Sequence, residues 1–251
     1  VLGGYLEPVK FCRFELLEDP GTPRTGIAYE GRIFETDGTN SIGVHEAQEV
    51  RLLPPIGRPS TVRLFRPGEM AYDYLNPMVV FGPNETLLMP PHAERIGMLP
   101  ALAVVVGGAG ARIPVAQADD VVLGVGLANV FTTLRDHGGR AFDVGTAIGP
   151  AITTPDEFAE ISIRPGTGMV YEDEVTIIRN GHAVVSFQLS EAGANPAQAI
   201  AHASESCAVA EGDLILLALG DPVLALEPGE EIRLSSTRIG VLATRLAVPE
   251  P

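Results

Sequence analysis

The sequence predicts a mostly β chain of the α+β class, and three observations carry that expectation. Short apolar runs are broken by frequent Pro and Gly, 21 and 28 of the 251 residues, a density of breakers that stops helices early. Few windows keep a helical apolar period for more than three turns. Glu174–Leu189, "EVTIIRNGHAVVSFQL", alternates apolar and polar residues on both sides of Asn180-Gly181, the pair preferred in a two-residue hairpin turn.

Along the chain, "GIAYEGRIFE" (Gly26–Glu35) reads as a hairpin in which Gly31 takes the positive φ of the turn. "RLLPPIGRPS" (Arg51–Ser60) follows, with prolines that continue neither a helix nor a central strand. A boundary is placed there, between a small N-terminal domain, residues 1–60, and a larger domain, residues 61–251. Beyond it "PMVVFG" and "PALAVVVG" read as buried strands, and "AQADDVVLG" as a short helix running into the strand "VGLANVFTTL". "NPAQAIAHASESC" is the best helix, with Asn195 as N-cap and Pro196 in the first helical position. "EGDLILLALGD" is another buried strand.

A formal net charge of −15 makes a nucleic-acid backbone or an anionic membrane surface a poor partner, because either is repelled. Lys10 is the only lysine; the bias toward Arg, Ala, Gly and Pro reflects codon composition and implies no mechanism. Cys12 and Cys207 are the only cysteines and fit neither a disulfide framework nor zinc spacing, which suits a reducing compartment. No signal peptide is recognised, and the longest apolar run, Met98–Ala111, is too short to span a bilayer and is interrupted by glycines. A soluble, cytoplasmic protein is expected.

Taken in order, "VRLLPPIGRPS", "PMVVFGPNETLLMPP", "PALAVVVGGAG", "GLANVFTTLRDHGGRAFDVGTAIGP" and "EGDLILLALGDP" resemble the fumarylacetoacetate hydrolase family. The resemblance runs from about Val50 to the C-terminus, and the N-terminal hairpin suits the small domain that many members carry. It implies a mixed β-sandwich roll. In such proteins a divalent ion, usually Mg²⁺, orients a dicarbonyl or oxo-acid for C–C hydrolysis, decarboxylation, hydration or tautomerisation.

Two glutamates one residue apart and one aspartate hold that ion in the family. The matching positions here are Leu99, Ala101, and either Val130 or Phe131, the segment after Asn129 being one residue longer than usual. None offers the oxygen ligands a hard cation needs. The histidine of the family's mobile loop is missing from "LFRPGEMAYDY", the turn after the late strand reads "ALGD", and Gly138 replaces a glutamine. Arg135 and Asp136 persist, His137 is new, and Arg140 matches a lysine. The resemblance therefore implies a scaffold without its metal site, and no cofactor is expected.

The candidate catalytic residues are Arg135, His137, Tyr74 and Glu69. The candidate binding residues are Leu99, Ala101, Val130, Phe131, Arg140 and Leu219. Arg135 and Arg140 suit a carboxylate or enolate, since guanidinium offers paired donors and stays charged, or they form structural ion pairs with Asp136 and Asp143. His137 is a general acid or base, or a turn residue before two glycines. Glu69, Tyr72, Asp73 and Tyr74 are either site groups on a loop or ordinary surface polarity. His45, His92, His182 and His202 read as isolated surface or capping residues, "GGAGAR" as a tight turn, and "YEDE" (Tyr171–Glu174) as a solvated turn before the hairpin.

Two functions follow from different classes. One is a metal-independent enzyme that cyclises, isomerises or decarboxylates a hydrophobic oxo or dicarbonyl small molecule, as in secondary metabolism. The other is a non-catalytic homologue, a binding module or partner subunit. An open cavity with a few polar groups favours the first, a filled one the second. The expected partners are a small-molecule substrate and a second copy of the chain, joined through the larger domain.

Overall fold

The computed structural model describes residues 10–91, 93–134, 141–159, 162, 167–220 and 224–249. Five strands come first: β1 (Lys10–Leu16), β2 (Asp19–Tyr29), β3 (Arg32–Thr36), β4 (Ser41–Glu46) and β5 (Val50–Leu53). The β2–β3 hairpin turns at Glu30 and Gly31 with φ of 45° and 76°, the mirror-image turn whose twist suits antiparallel strands. After the proline segment come β6 (Val62–Phe65) and β7 (Tyr72–Leu75), paired antiparallel.

"PMVVFG" departs from its expected buried strand. Asn76 accepts a hydrogen bond from the Met78 N–H and Pro77 fixes the first residue of a 3₁₀ turn, Pro77–Val79, leaving the two half-buried residues of β8 (Val80–Phe81). The local capping chemistry outweighs the apolar run. β9 (Thr86–Leu88) follows, then β10 (Ile96–Val106), buried at every position. α1 (Val115–Ala118) passes through a 3₁₀ turn into β11 (Val122–Thr133), which is followed by β12 (Gly145–Thr153).

The expected hairpin is β13 (Glu174–Arg179) and β14 (His182–Gln188), with Asn180 and Gly181 at positive φ. The expected helix is α2 (Pro196–Ser206). The Asn195 side chain accepts from the Gln198 N–H and the Gln198 side chain accepts from the Asn195 N–H, closing a capping box. β15 (Leu214–Ala218), β16 (Leu224–Leu226), β17 (Glu231–Ser236) and β18 (Gly240–Ala247) complete the described elements. The fold is mostly β, as the sequence predicts.

The strands form two sheets. The larger runs β4-β3-β2-β1-β12-β11-β10-β15-β6-β7, with β5 on β1, β8 on β12 and β16 on β10; the smaller runs β14-β13-β17-β18-β9. β1 pairs with β2 and with β12, so the early strands extend the main sheet. One face of β10 packs with α2 and the smaller sheet, through Met98, Leu102, Ile200 and Leu234. The other rolls inward, gathering Leu99, Ala101, Val130, Leu64, Ile148 and Leu216 into a second core.

The solvated turn expected at "YEDE" is instead partly interior. Tyr171 and Asp173 are buried, and the Asp173 carboxylate accepts from the Ser236 hydroxyl, the Thr237 hydroxyl at 3.0 Å and the Arg238 N–H at 3.3 Å. A buried carboxylate needs this many donors, and they arrive from the β17–β18 turn, distant in sequence. Replacing Asp173 by Ala is expected to cost about 2–4 kcal/mol, because the donors lose their acceptor in a buried place. Asn should cost less, since it keeps one oxygen. Chemical denaturation of both variants measures the difference, and equal losses would contradict this assignment.

Candidate functional site

Strand alternation settles what each residue of β10 and β11 faces. Leu99 and Ala101 point into the rolled core, while Met98 and Leu102 point to the other. Leu99 lies directly across from Val130, and Ala101 lies between Ala128 on β11 and Ala218 on β15. The sequence left Val130 and Phe131 as alternatives for one position; Val130 shares the face of Leu99, and Phe131 turns away to stack on Phe81 with ring centroids 6.2 Å apart.

Ala101 and Val130 have no exposure, and Leu99 has 8%. Across from Val130 stands Thr146, whose buried hydroxyl has no hydrogen-bond partner. Three hydrocarbon side chains and one hydroxyl do not make a ligand set for a hard divalent cation, which takes several carboxylate or carbonyl oxygens. Among the described residues no three His, Cys, Asp or Glu side chains converge as a metal site.

At the mouth of the rolled core lies a cavity of about 370 Å³, lined by Arg66, Glu69, Leu99, Thr132, Phe142 and Gly220, among others. Leu99 is the point at which the apolar core reaches it. Arg66 and Glu69 come from the β6–β7 loop. Arg66 donates from Nε and Nη2 to Asp73 at 3.1 and 2.8 Å, and its guanidinium lies 5.9 Å from the centre of the Phe142 ring. The loop rests on Gly193, where a Cβ would collide with the Gly68 nitrogen and lie 2.9 Å from the Pro67 carbonyl carbon. A residue without a side chain is what lets the two backbones meet.

The structure thus brings Glu69 and Leu99 to one cavity, with Ala101 and Val130 behind Leu99 in the core. Leu134 and Ala141 also line the cavity; Arg135, His137 and Arg140, on the chain between them, lie outside the described residues, as does His92. Phe131 and Leu219 belong to the core on the opposite face. Tyr74 also turns that way, packing against Tyr72 and against the Arg63 guanidinium, 5.5 Å from its ring centre. The Tyr72 phenol is pushed above its ordinary value, first by its hydrogen bond with the Tyr74 hydroxyl and then by burial.

Arg66, Thr132 and Phe142 were not singled out from the sequence. Arg66 stands three residues before Glu69 in the same quoted loop, so the signal was available. Thr132 required the strand register, which puts it on the face of Val130.

The family model for the fumarylacetoacetate hydrolase C-terminal domain matches residues 58–247. The mitochondrial oxaloacetate tautomerase of Homo sapiens and fumarylacetoacetate hydrolase domain-containing protein 2 of Pongo abelii are each 24% identical over 183 residues, covering 66% of this chain and 55% of theirs. The chain therefore spans about half the length of these curated relatives. The 2-hydroxyhepta-2,4-diene-1,7-dioate isomerase from Mycobacterium marinum superposes with a TM-score of 0.81 at 22% identity, over 97% of this chain and 100% of its own. Maleylpyruvate hydrolase from Sphingobium sp. SYK-6 superposes with a TM-score of 0.80 at 16% identity, over 96% and 100%, and one of its structures holds manganese(II) and pyruvate. At these identities the likeness is one of fold.

The geometry separates two substitutions that the sequence treats alike. Leu99→Glu places a carboxylate at the cavity edge, where it reaches water, and should leave the protein folded. Ala101→Glu drives a charge into a closed apolar core and should cost about 3 kcal/mol or more. Thermal unfolding of the two proteins tests this, and an Ala101→Glu variant as stable as Leu99→Glu would mean the register is wrong.

Proposed function

The chain belongs to the fumarylacetoacetate hydrolase family, and from that premise we propose that it is an enzyme that isomerises a small, partly hydrophobic oxo or dicarbonyl acid by moving a proton, without the family's divalent ion. The observation that carries this reading is the junction at Leu99, where a core of hydrocarbon in place of ligands meets an open cavity bearing Arg66 and Glu69. An open cavity with a few polar groups suits a ligand better than a homologue whose site has been filled.

In this reading Arg66 takes the charge that a metal would otherwise neutralise. Its ion pair with Asp73 is exposed, 51% and 46% at the two side chains. Such pairs contribute only about 0–1 kcal/mol, so a substrate carboxylate or enolate displaces or shares Asp73 at little cost. Guanidinium donors aimed at a developing oxyanion lower the barrier to enolisation. Glu69 accepts the proton from the carbon beside the carbonyl and returns it elsewhere on the same framework. Leu99 and Phe142 hold the apolar part, and Arg135 supplies a second cation from the chain that follows Leu134. The assembly is a homodimer joined through residues beyond 60.

Oxaloacetate and other small oxo acids are the compounds to try, with loss of the enol absorbance as the signal. The expected result is catalysis unchanged by EDTA, with Glu69→Gln and Arg66→Ala each lowering kcat/KM by about 100-fold. Arg135→Ala should lower it as well. Activity lost on chelation and restored by Mg²⁺ or Mn²⁺ would overturn metal independence. Binding of oxo acids with no turnover would favour a non-catalytic homologue. Light scattering at micromolar concentration should give twice the chain mass; a monomer would remove the dimer from the proposal.

A further inference from the structure

On the far side of the β6–β7 hairpin from the cavity, a second group of chemically active side chains surrounds Cys207. Arg63 and Tyr74 are direct cross-strand partners on that hairpin, and both point away from the rolled core into which Val62, Leu64 and Leu75 project. Arg63 is only 1% exposed. Its Nη1 donates to Asp213 at 3.2 Å and its Nη2 to the Cys207 sulfur at 3.4 Å, while Nε has no partner. The Tyr74 hydroxyl is 3.8 Å from the same sulfur. Cys207, at the C-terminal end of α2, is exposed.

The donors here exceed the acceptors. Asp213 already accepts the backbone N–H groups of Thr61 and Ala210 besides Arg63. Burial works to lower the Arg63 pKa, but its bonds to Tyr74, Cys207 and Asp213 outweigh that and hold it above its ordinary value, so the guanidinium stays charged. A thiol sulfur is a weak acceptor for such a group. An oxygen bonded to the Cys207 sulfur would give Arg63 Nη2 and the Tyr74 hydroxyl a stronger acceptor than the sulfur they now meet, so these two groups fit an oxidised sulfur better than a reduced one.

We propose that Cys207 is a site of reversible oxidation by hydrogen peroxide, with Arg63 and Tyr74 holding the oxygen that sulfur gains. The thiolate attacks one peroxide oxygen; the S–O bond forms as the O–O bond breaks, and the departing hydroxide combines with the proton the thiol released to give water. Sulfur is oxidised by two electrons to the sulfenic acid and peroxide is reduced. A small thiol then attacks that sulfur, releasing water and leaving a mixed disulfide, and a second thiol restores Cys207. This site stands independently of the reaction proposed for the cavity. Cys12 is the internal control: it is buried, its thiol donates to the Gly26 carbonyl, and burial pushes it up to about 12.

The test is treatment of the folded protein with one equivalent of hydrogen peroxide, trapping with dimedone and mapping of the adduct by mass spectrometry. The adduct should fall on Cys207 and not on Cys12, at a rate about tenfold above that of Cys207 in the urea-unfolded chain. Tyr74→Phe, which removes one hydroxyl from a half-exposed ring, should keep the fold and slow the labelling several-fold. Arg63→Lys, which keeps charge but loses the planar donors, should slow it further. Dithiothreitol added before dimedone should abolish the adduct. Labelling no faster than in the unfolded chain, a Tyr74→Phe rate equal to that of the parent, or an adduct that survives prior reduction would each overturn the proposal.

Discussion

Burial of β10 on both faces is the constraint on which the rest of the molecule depends. An eleven-residue strand without an exposed position must find two apolar partners, one on each side of its pleat. The even residues take α2 and the smaller sheet as theirs. The odd residues find theirs only because the main sheet curls until β6, β11, β12 and β15 face one another. Those strands are hydrogen-bonded to β10 directly or through a neighbour, so the register of this one strand decides which residues of four others share a core.

The cavity is a result of the same arrangement. The rolled core closes over Ala101 and Val130 and ends at Leu99, beyond which the strands are capped by loops rather than by further apolar side chains. The charged groups of the cavity, Arg66 and Glu69, enter there from the β6–β7 loop, and Thr132 from the end of β11. Arg66 and Glu69 are therefore placed by a loop whose seat is the backbone at Gly193, not by the strand that carried the family's acids. The cavity's polar groups and the core are adjacent but supported separately.

What could be read from the sequence was what short-range chemistry decides. The β13–β14 hairpin follows from Asn180-Gly181, α2 from Asn195, Pro196 and Gln198, and the burial of β10 from its uninterrupted hydrocarbon. "PMVVFG" misled because an apolar run says nothing about the cap at Asn76. Asp173 and Arg63 were illegible for a different reason: their partners, Ser236 and Asp213, lie 63 and 150 residues away, and nothing in either segment announces the other. The lining of the candidate cavity was half legible. The family pattern pointed to Leu99 and Glu69, but whether Val130 or Phe131 stood beside Leu99, and which way Tyr74 turned, required the register.

The hydrocarbon at Leu99, Ala101 and Val130 also alters what the fold responds to. When carboxylates in a folded core share an ion, folding and ion binding are linked, and the folded state gains stability in proportion to the logarithm of free ion concentration. The unliganded core also carries the mutual repulsion of its acids, which falls as they protonate. Apolar side chains at those positions remove both dependences together. What Leu99, Ala101 and Val130 themselves add to stability comes from the burial of hydrocarbon, and so follows temperature and solvent.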